Sequence, residues 1–123
     1  MTITLRSTKG SALTYAELDA NFTHLRSDIK TVQNITGPGV ISLDTGVTLI
    51  TTTGANAYTL GAGQQEGQIK IISMKVDGGN ATLTFDNFIN GSQVVFNATN
   101  DTIILLYQST GWVVIARQNA TVS

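Results

Sequence analysis

Residues 68–85, Gln68-Ile69-Lys70-Ile71-Ile72-Ser73-Met74-Lys75-Val76-Asp77-Gly78-Gly79-Asn80-Ala81-Thr82-Leu83-Thr84-Phe85, decide the fold class. The first half places Ile69, Ile71 or Ile72, Met74 and Val76 near a period of two, at which successive side chains alternate between the faces of a sheet. Asp77-Gly78-Gly79-Asn80 then supplies glycines for the positive φ of a tight turn. Ala81 to Phe85 returns with Leu83 and Phe85 on one face. The stretch therefore predicts a β-hairpin.

The same pattern extends in both directions. Toward the C-terminus, Asn90-Gly91 turns into Gln93-Val94-Val95-Phe96, and a polar turn over 97–101 precedes Thr102 to Tyr107. Ser109-Thr110-Gly111 reverses the chain into Trp112 to Arg117. Ile103-Ile104-Leu105-Leu106 and Val113-Val114-Ile115 are apolar on both faces, which predicts a hairpin covered on both sides, inside a sandwich or at a subunit interface. Toward the N-terminus, Val40 to Leu43, Val47 to Thr53 and Thr59-Leu60 are further short strands, separated by Asp44-Thr45-Gly46 and a glycine-rich loop over 61–67. Seven or eight short strands in this space predict a small antiparallel β-sandwich or barrel over 40–123. No fixed repeat marks a solenoid array.

Ahead of this body the period becomes helical. Leu13-Thr14-Tyr15-Ala16-Glu17-Leu18 has the form of a capping box, Thr14 with Glu17, flanked by Leu13 and Leu18 as a hydrophobic staple. Tyr15, Leu18, Phe22, Leu25, Ile29 and Val32 follow in alternating steps of three and four, the seam of a left-handed coiled coil. Bulky Tyr15 and Phe22 crowd a dimer and β-branched Ile29 and Val32 favour three strands, so the seam predicts a homotrimer. Gly37-Pro38-Gly39 would end the helix as a hinge. Thr2-Ile3-Thr4-Leu5-Arg6 alternates as a short strand that needs a sheet edge, which makes it a candidate arm for attachment to a partner. The expected order is an arm over 1–12, a trimerising helix over 13–36, a hinge over 37–39 and a β-domain over 40–123.

Composition limits the chemistry. The chain has 123 residues, a net charge of −1 and no cysteine, and only 12% of its residues are charged. Such a balance gives no electrostatic drive toward nucleic acid or an anionic membrane, and the missing cysteines exclude disulfides, thiolate metal sites and thiol nucleophiles. No apolar run approaches the ~18 residues of a membrane-spanning helix, and the N-terminus lacks the form of a secretory signal, so synthesis in a cytoplasm is expected. His24, the single histidine, has no nucleophile or second ligand in pattern with it. The glycines at 61, 63 and 67 lead into a strand and not a helix, which argues against a phosphate loop. Carboxylates at Asp44, Asp77, Asp86 and Asp101 fall at turns; glycoside hydrolysis would need a facing pair such as Asp77 and Asp86, within one chain or across subunits. The residues predict no catalytic activity, cofactor or metal.

Leu5 to Phe22, with Lys9-Gly10-Ser11, Leu13-Thr14, Glu17-Leu18-Asp19 and Asn21-Phe22, resembles a segment that recurs near the N-terminus of structural proteins of tailed bacteriophages, Lys-Gly-Ser-x-Leu-Thr-x-x-Glu-Leu-Asp-x-Asn-Phe. The body, with Gln64 to Lys75, its Asp77-Gly78-Gly79 turn and its Gly111-Trp112-Val113-Val114 strand, is similar more loosely to small β-domains of phage fibres and decoration proteins. The resemblance implies a non-catalytic virion protein, made in a bacterial cytoplasm, whose partners are its own copies and phage capsid or tail proteins. The short chain favours a trimeric capsid decoration protein or short head fibre. A tail-fibre or baseplate component is the alternative, as is a carbohydrate-binding module presenting Tyr58, Tyr107 or Trp112 to a host glycan.

Overall fold

The computed structural model describes residues 14–16, Asp19 and Val32–Ser123. The chain divides into two units, Met1–Thr31 and Val32–Ser123. In the first unit Thr14, Tyr15, Ala16 and Asp19 are exposed, and Tyr15, Ala16 and Asp19 have helical backbone. Every element delimited among the described residues is nevertheless a strand.

Ten strands make up the second unit: β1 (Val32–Thr36), β2 (Gly39–Val40), β3 (Val47–Thr51), β4 (Asn56–Leu60), β5 (Ile69–Val76), β6 (Ala81–Phe85), β7 (Gln93–Phe96), β8 (Thr102–Gln108), β9 (Gly111–Gln118) and β10 (Thr121–Val122). They form two five-stranded sheets, the first ordered β1-β3-β5-β8-β9 and the second β10-β7-β6-β4-β2. From β1 to β6 the chain alternates between the sheets. Each of the pairs β1/β2, β3/β4 and β5/β6 puts one strand in each sheet, and each lies parallel on the pair before it. This is a parallel β-coil of three turns. From β6 onward the chain reverses, and β7, β8, β9 and β10 close both sheets with antiparallel ladders.

Two expectations are thereby corrected. The fold is mainly β, but its sheets are mixed and it is neither an all-antiparallel sandwich nor a closed barrel. The coiled-coil helix over 13–36 is contradicted: the seam residue Val32 opens β1, residues 33–36 continue that strand, and Tyr15 is 91% exposed. Pairing with β3 supplies β1 with a full ladder, from Val32 opposite Val47 to Thr36 opposite Thr51, and the β-branched residues of VQNIT fit that environment better than a helix. Leu18, Phe22, Leu25 and Ile29 lie outside the described residues, as does the arm Thr2, Ile3, Thr4, Leu5 and Arg6. Gly37-Pro38-Gly39 joins two strands, not a helix to a body.

The hairpin predicted for residues 68–85 is also corrected. β5 pairs with β3 and β8, β6 with β4 and β7, so Asp77 to Asn80 is an arch that carries the chain from one sheet to the other. Its glycines serve close stacking on the preceding arch. A Cβ on Gly78 would lie 2.1 Å from the Thr52 carbonyl oxygen, and one on Gly79, at φ +147°, 2.3 Å from the carbonyl carbon of Gly54. Thr52, buried between the arches, accepts from the Gly78 amide at 2.7 Å and donates to the Gly79 carbonyl at 2.8 Å. The first arch joins the stack through a hydrogen bond from the Gly37 amide to the Thr51 carbonyl.

Both sheets turn one face inward. Ile50, Ile72, Met74, Ile103 and Leu105 from the first meet Tyr58, Leu60, Ala81, Leu83, Val94 and Phe96 from the second. Complete burial of each large aliphatic side chain contributes about 1.5–3 kcal/mol, so this layer carries the stability of the unit. Trp112, fully buried, seals one end and donates from Nε1 to the Gly61 carbonyl at 2.8 Å. At the β1 end Gln33 turns inward and accepts from Thr48 Oγ1 and the Ser42 amide, both at 2.8 Å.

Candidate functional site

Strand alternation sends every second residue of the first sheet away from the core, and the register assembles these residues into rows. One row runs Val32, Val47, Ile71, Ile104, Ala116 across all five strands. A second runs Asn34, Leu49, Ser73, Thr102, and a third Ile69, Leu106, Val113. Val32 and Ile69 are 46% and 52% exposed, while Val47, Leu49, Ile71, Ile104, Leu106 and Val113 are half-buried against their lateral neighbours. Beside Ile104 the ladder bulges, and Ile115, 54% exposed, is the extra residue.

None of the side chains in these rows is charged. Their polar members are hydroxyls and one amide, and two of the hydroxyls, Ser73 Oγ and Thr102 Oγ1, bond each other at 2.7 Å. Arg117 stands opposite the inward-facing Ile103 and donates to the Ala120 carbonyl at 2.9 Å. Thr102, Ile104, Ala116, Arg117 and Gln118 line an open groove of about 220 Å³ at the β8–β9 end. The rows thus make the middle of the outer face largely apolar, built from β-branched and leucine side chains, while the exposed Lys75 near the end of β5 and Arg117 on the edge strand β9 stand at its margins. Soluble monomers seldom leave such a surface to water.

Several titratable groups of the second unit are bound into the fold. Lys70 is fully buried, and its Nζ donates to the Thr45 carbonyl at 2.8 Å and to Thr45 Oγ1 at 2.7 Å. Burial lowers its pKa to about 8. These two acceptors match the two hydrogens of a neutral amine, and together they hold the Asp44-Thr45-Gly46 turn. Asp101, also buried, caps its turn by accepting from the Asn97 and Ala98 amides at 2.9 and 3.1 Å. Asp44 accepts from Gln64 Nε2, and Asp77 from the Gly79 amide. Tyr58 is buried with its hydroxyl unpartnered among the described residues, and burial raises its pKa.

This geometry bears on each candidate raised by the sequence. Asp77 and Asp86 flank opposite ends of β6, whose five residues span about 17 Å, well beyond the ~5–9.5 Å at which two carboxyls cooperate on a glycosidic bond. Residues 61–67 are tied down by the Trp112 bond to Gly61 and by the Gly67 amide donating to Tyr107 O. Of the three aromatics considered for a glycan, Tyr58 and Trp112 are buried and Tyr107 packs edge-on against Trp112 at 5.1 Å, so they form no open platform. His24 and Glu17 lie outside the described residues, among which no group of three or more histidine, cysteine, aspartate or glutamate side chains is placed to hold a metal.

Only part of the outer face was visible in sequence. The two-sided apolarity of 103–106 and 113–115 marked β8 and β9, where Ile103, Leu105 and Trp112 are buried inward and Ile104, Leu106 and Val113 are half-buried on the outer side. Ile69 and Ile71 join them through the antiparallel ladder of β5 with β8, and Val32, Val47 and Leu49 through the parallel ladders beyond β5. No protein-family model matches the chain, and no curated protein is similar to it.

Proposed function

We propose that this chain is a non-catalytic structural component of a tailed-bacteriophage particle, bound to the shell as a capsid decoration protein or short head fibre. The observation that carries this reading is the set of uncharged, largely apolar rows on the outer face of the first sheet, a surface suited to protein partners and poorly suited to a charged or polar substrate. The resemblance of Leu5 to Phe22 to structural segments of tailed phages supplies the particle. The coil contributes rigidity, since each arch is pinned to the next and polar side chains at its ends are hydrogen-bonded.

A protein that binds the assembled shell in preference to free capsid subunits stabilises the shell by mass action and needs no chemical step. The test is immunogold electron microscopy of purified particles, with thermal DNA release compared in particles with and without the protein. Label on capsid faces and a lower release temperature without the protein are the expected results. Label confined to the tail tip would transfer the protein to a tail fibre or baseplate, and unlabelled particles would overturn the virion assignment.

A further inference from the structure

The geometry points to a second copy of this chain as the occupant of the outer face of the first sheet, so that the protein self-associates sheet on sheet. This inference rests on the reading of that face as a protein-binding surface, and it names the partner. Three observations carry it.

The first is charge. A surface that selects a foreign partner does so largely through complementary charges, and the rows Val32-Val47-Ile71-Ile104-Ala116, Asn34-Leu49-Ser73-Thr102 and Ile69-Leu106-Val113 contain none. Uncharged rows are complementary to themselves: their hydroxyl and amide groups both donate and accept, and the charges of this sheet, Lys75 near the end of β5 and Arg117 on the edge strand β9, stand at the margins.

The second is size. Five strands at ~4.8 Å spacing and five to eight residues at ~3.3 Å present roughly 24 by 17–26 Å, on the order of 400–600 Å². Such a patch is at the upper end of what monomers expose, and pairing two of them buries on the order of 1,000 Å², where specific interfaces begin.

The third is shape. The outer face consists of regular rows of β-branched and leucine side chains, the surface by which sheets pack on sheets about 10 Å apart in sandwich proteins. A symmetric contact sets the central row, with Ile71 and Ile104, against the same row of the other copy. The two-sided apolarity of β8 and β9 then has a physical reason, because both sides are buried in the assembly.

Sedimentation of the full chain tests this. The wild type should be oligomeric at micromolar concentration, and Ile71→Glu with Ile104→Glu, which buries charges in the contact, should weaken association by roughly 100-fold or more while keeping a cooperative melt and a strand-type circular dichroism spectrum. A monomeric wild type at tens of micromolar overturns the inference, as does a folded double variant that associates like the wild type. If the double variant fails to fold, a single cysteine decides, since the chain has none of its own. Ile104→Cys should form a disulfide-linked pair at least ten times faster than Val40→Cys, on the exposed edge of the second sheet, and equal rates overturn the inference. None of these outcomes depends on where the protein sits on a particle, so gold labelling stands or falls separately.

Discussion

Lys70 is the residue whose environment most changes its chemistry. Its amine lies among apolar neighbours with only Thr45 to accept from it, and burial lowers its pKa from 10.5 to about 8. Between those values the unfolded chain binds more protons than the folded one, so stability should rise with pH from about 8 toward 10.5. At ~1.4 kcal/mol per pKa unit the gain reaches about 3 kcal/mol. Tyr58 acts in the opposite direction above pH 10, because its raised pKa favours ionisation of the unfolded state, so urea midpoints are best compared between pH 7.5 and 9.5. Lys70→Met should flatten this rise. Tyr58→Phe removes a buried hydroxyl without a partner and should raise the urea midpoint, by about 1 kcal/mol in stability.

At the scale of elements, the stacked arches set the geometry. Thr52→Val keeps the volume of the side chain but leaves the Gly78 amide and the Gly79 carbonyl unpaired, at a cost of about 1–3 kcal/mol. Gly78→Ala drives a Cβ into the Thr52 carbonyl, which cannot move without shifting β3, and should cost about 2–3 kcal/mol. Chemical denaturation of each variant measures both effects. The double variant should be less destabilised than the sum of the singles, because both changes strain one contact. Additive effects would mean that the arches do not bear on each other. The position of these turns was readable from Asp, Gly and Asn; their kind was not. An arch and a hairpin both want small, flexible residues, and the choice between them depends on whether β6 finds β5 or β4 beside it.

At the scale of the molecule, the core cluster among the described residues is drawn from the second unit. Val32–Ser123 alone should therefore fold, with a melting temperature within a few degrees of the full chain, as thermal circular dichroism would report. Loss of a cooperative transition in the fragment would show that the first unit is needed for folding. The long-range parallel ladders of the coil should also make refolding slow compared with a helical protein of this size.

Composition and period two were enough to establish that the chain is β-rich, where most strands and turns fall, and that β8 and β9 are apolar on both sides. These are local properties, set by side-chain alternation and by the backbone freedom of turn residues. Strand partners are not local. The positions brought side by side in the coil, Val32, Val47 and Ile71, are unevenly spaced along the chain because the return loops differ in length, so no repeat announces them. The helical spacing read through Val32 was overruled by the ladder that β3 offers to residues 32–36. Only the tertiary structure decided that consecutive strands from β1 to β6 lie in opposite sheets. It alone could gather Val32, Val47, Ile71 and Ile104 into one row, because a sheet face is a property of register between distant segments.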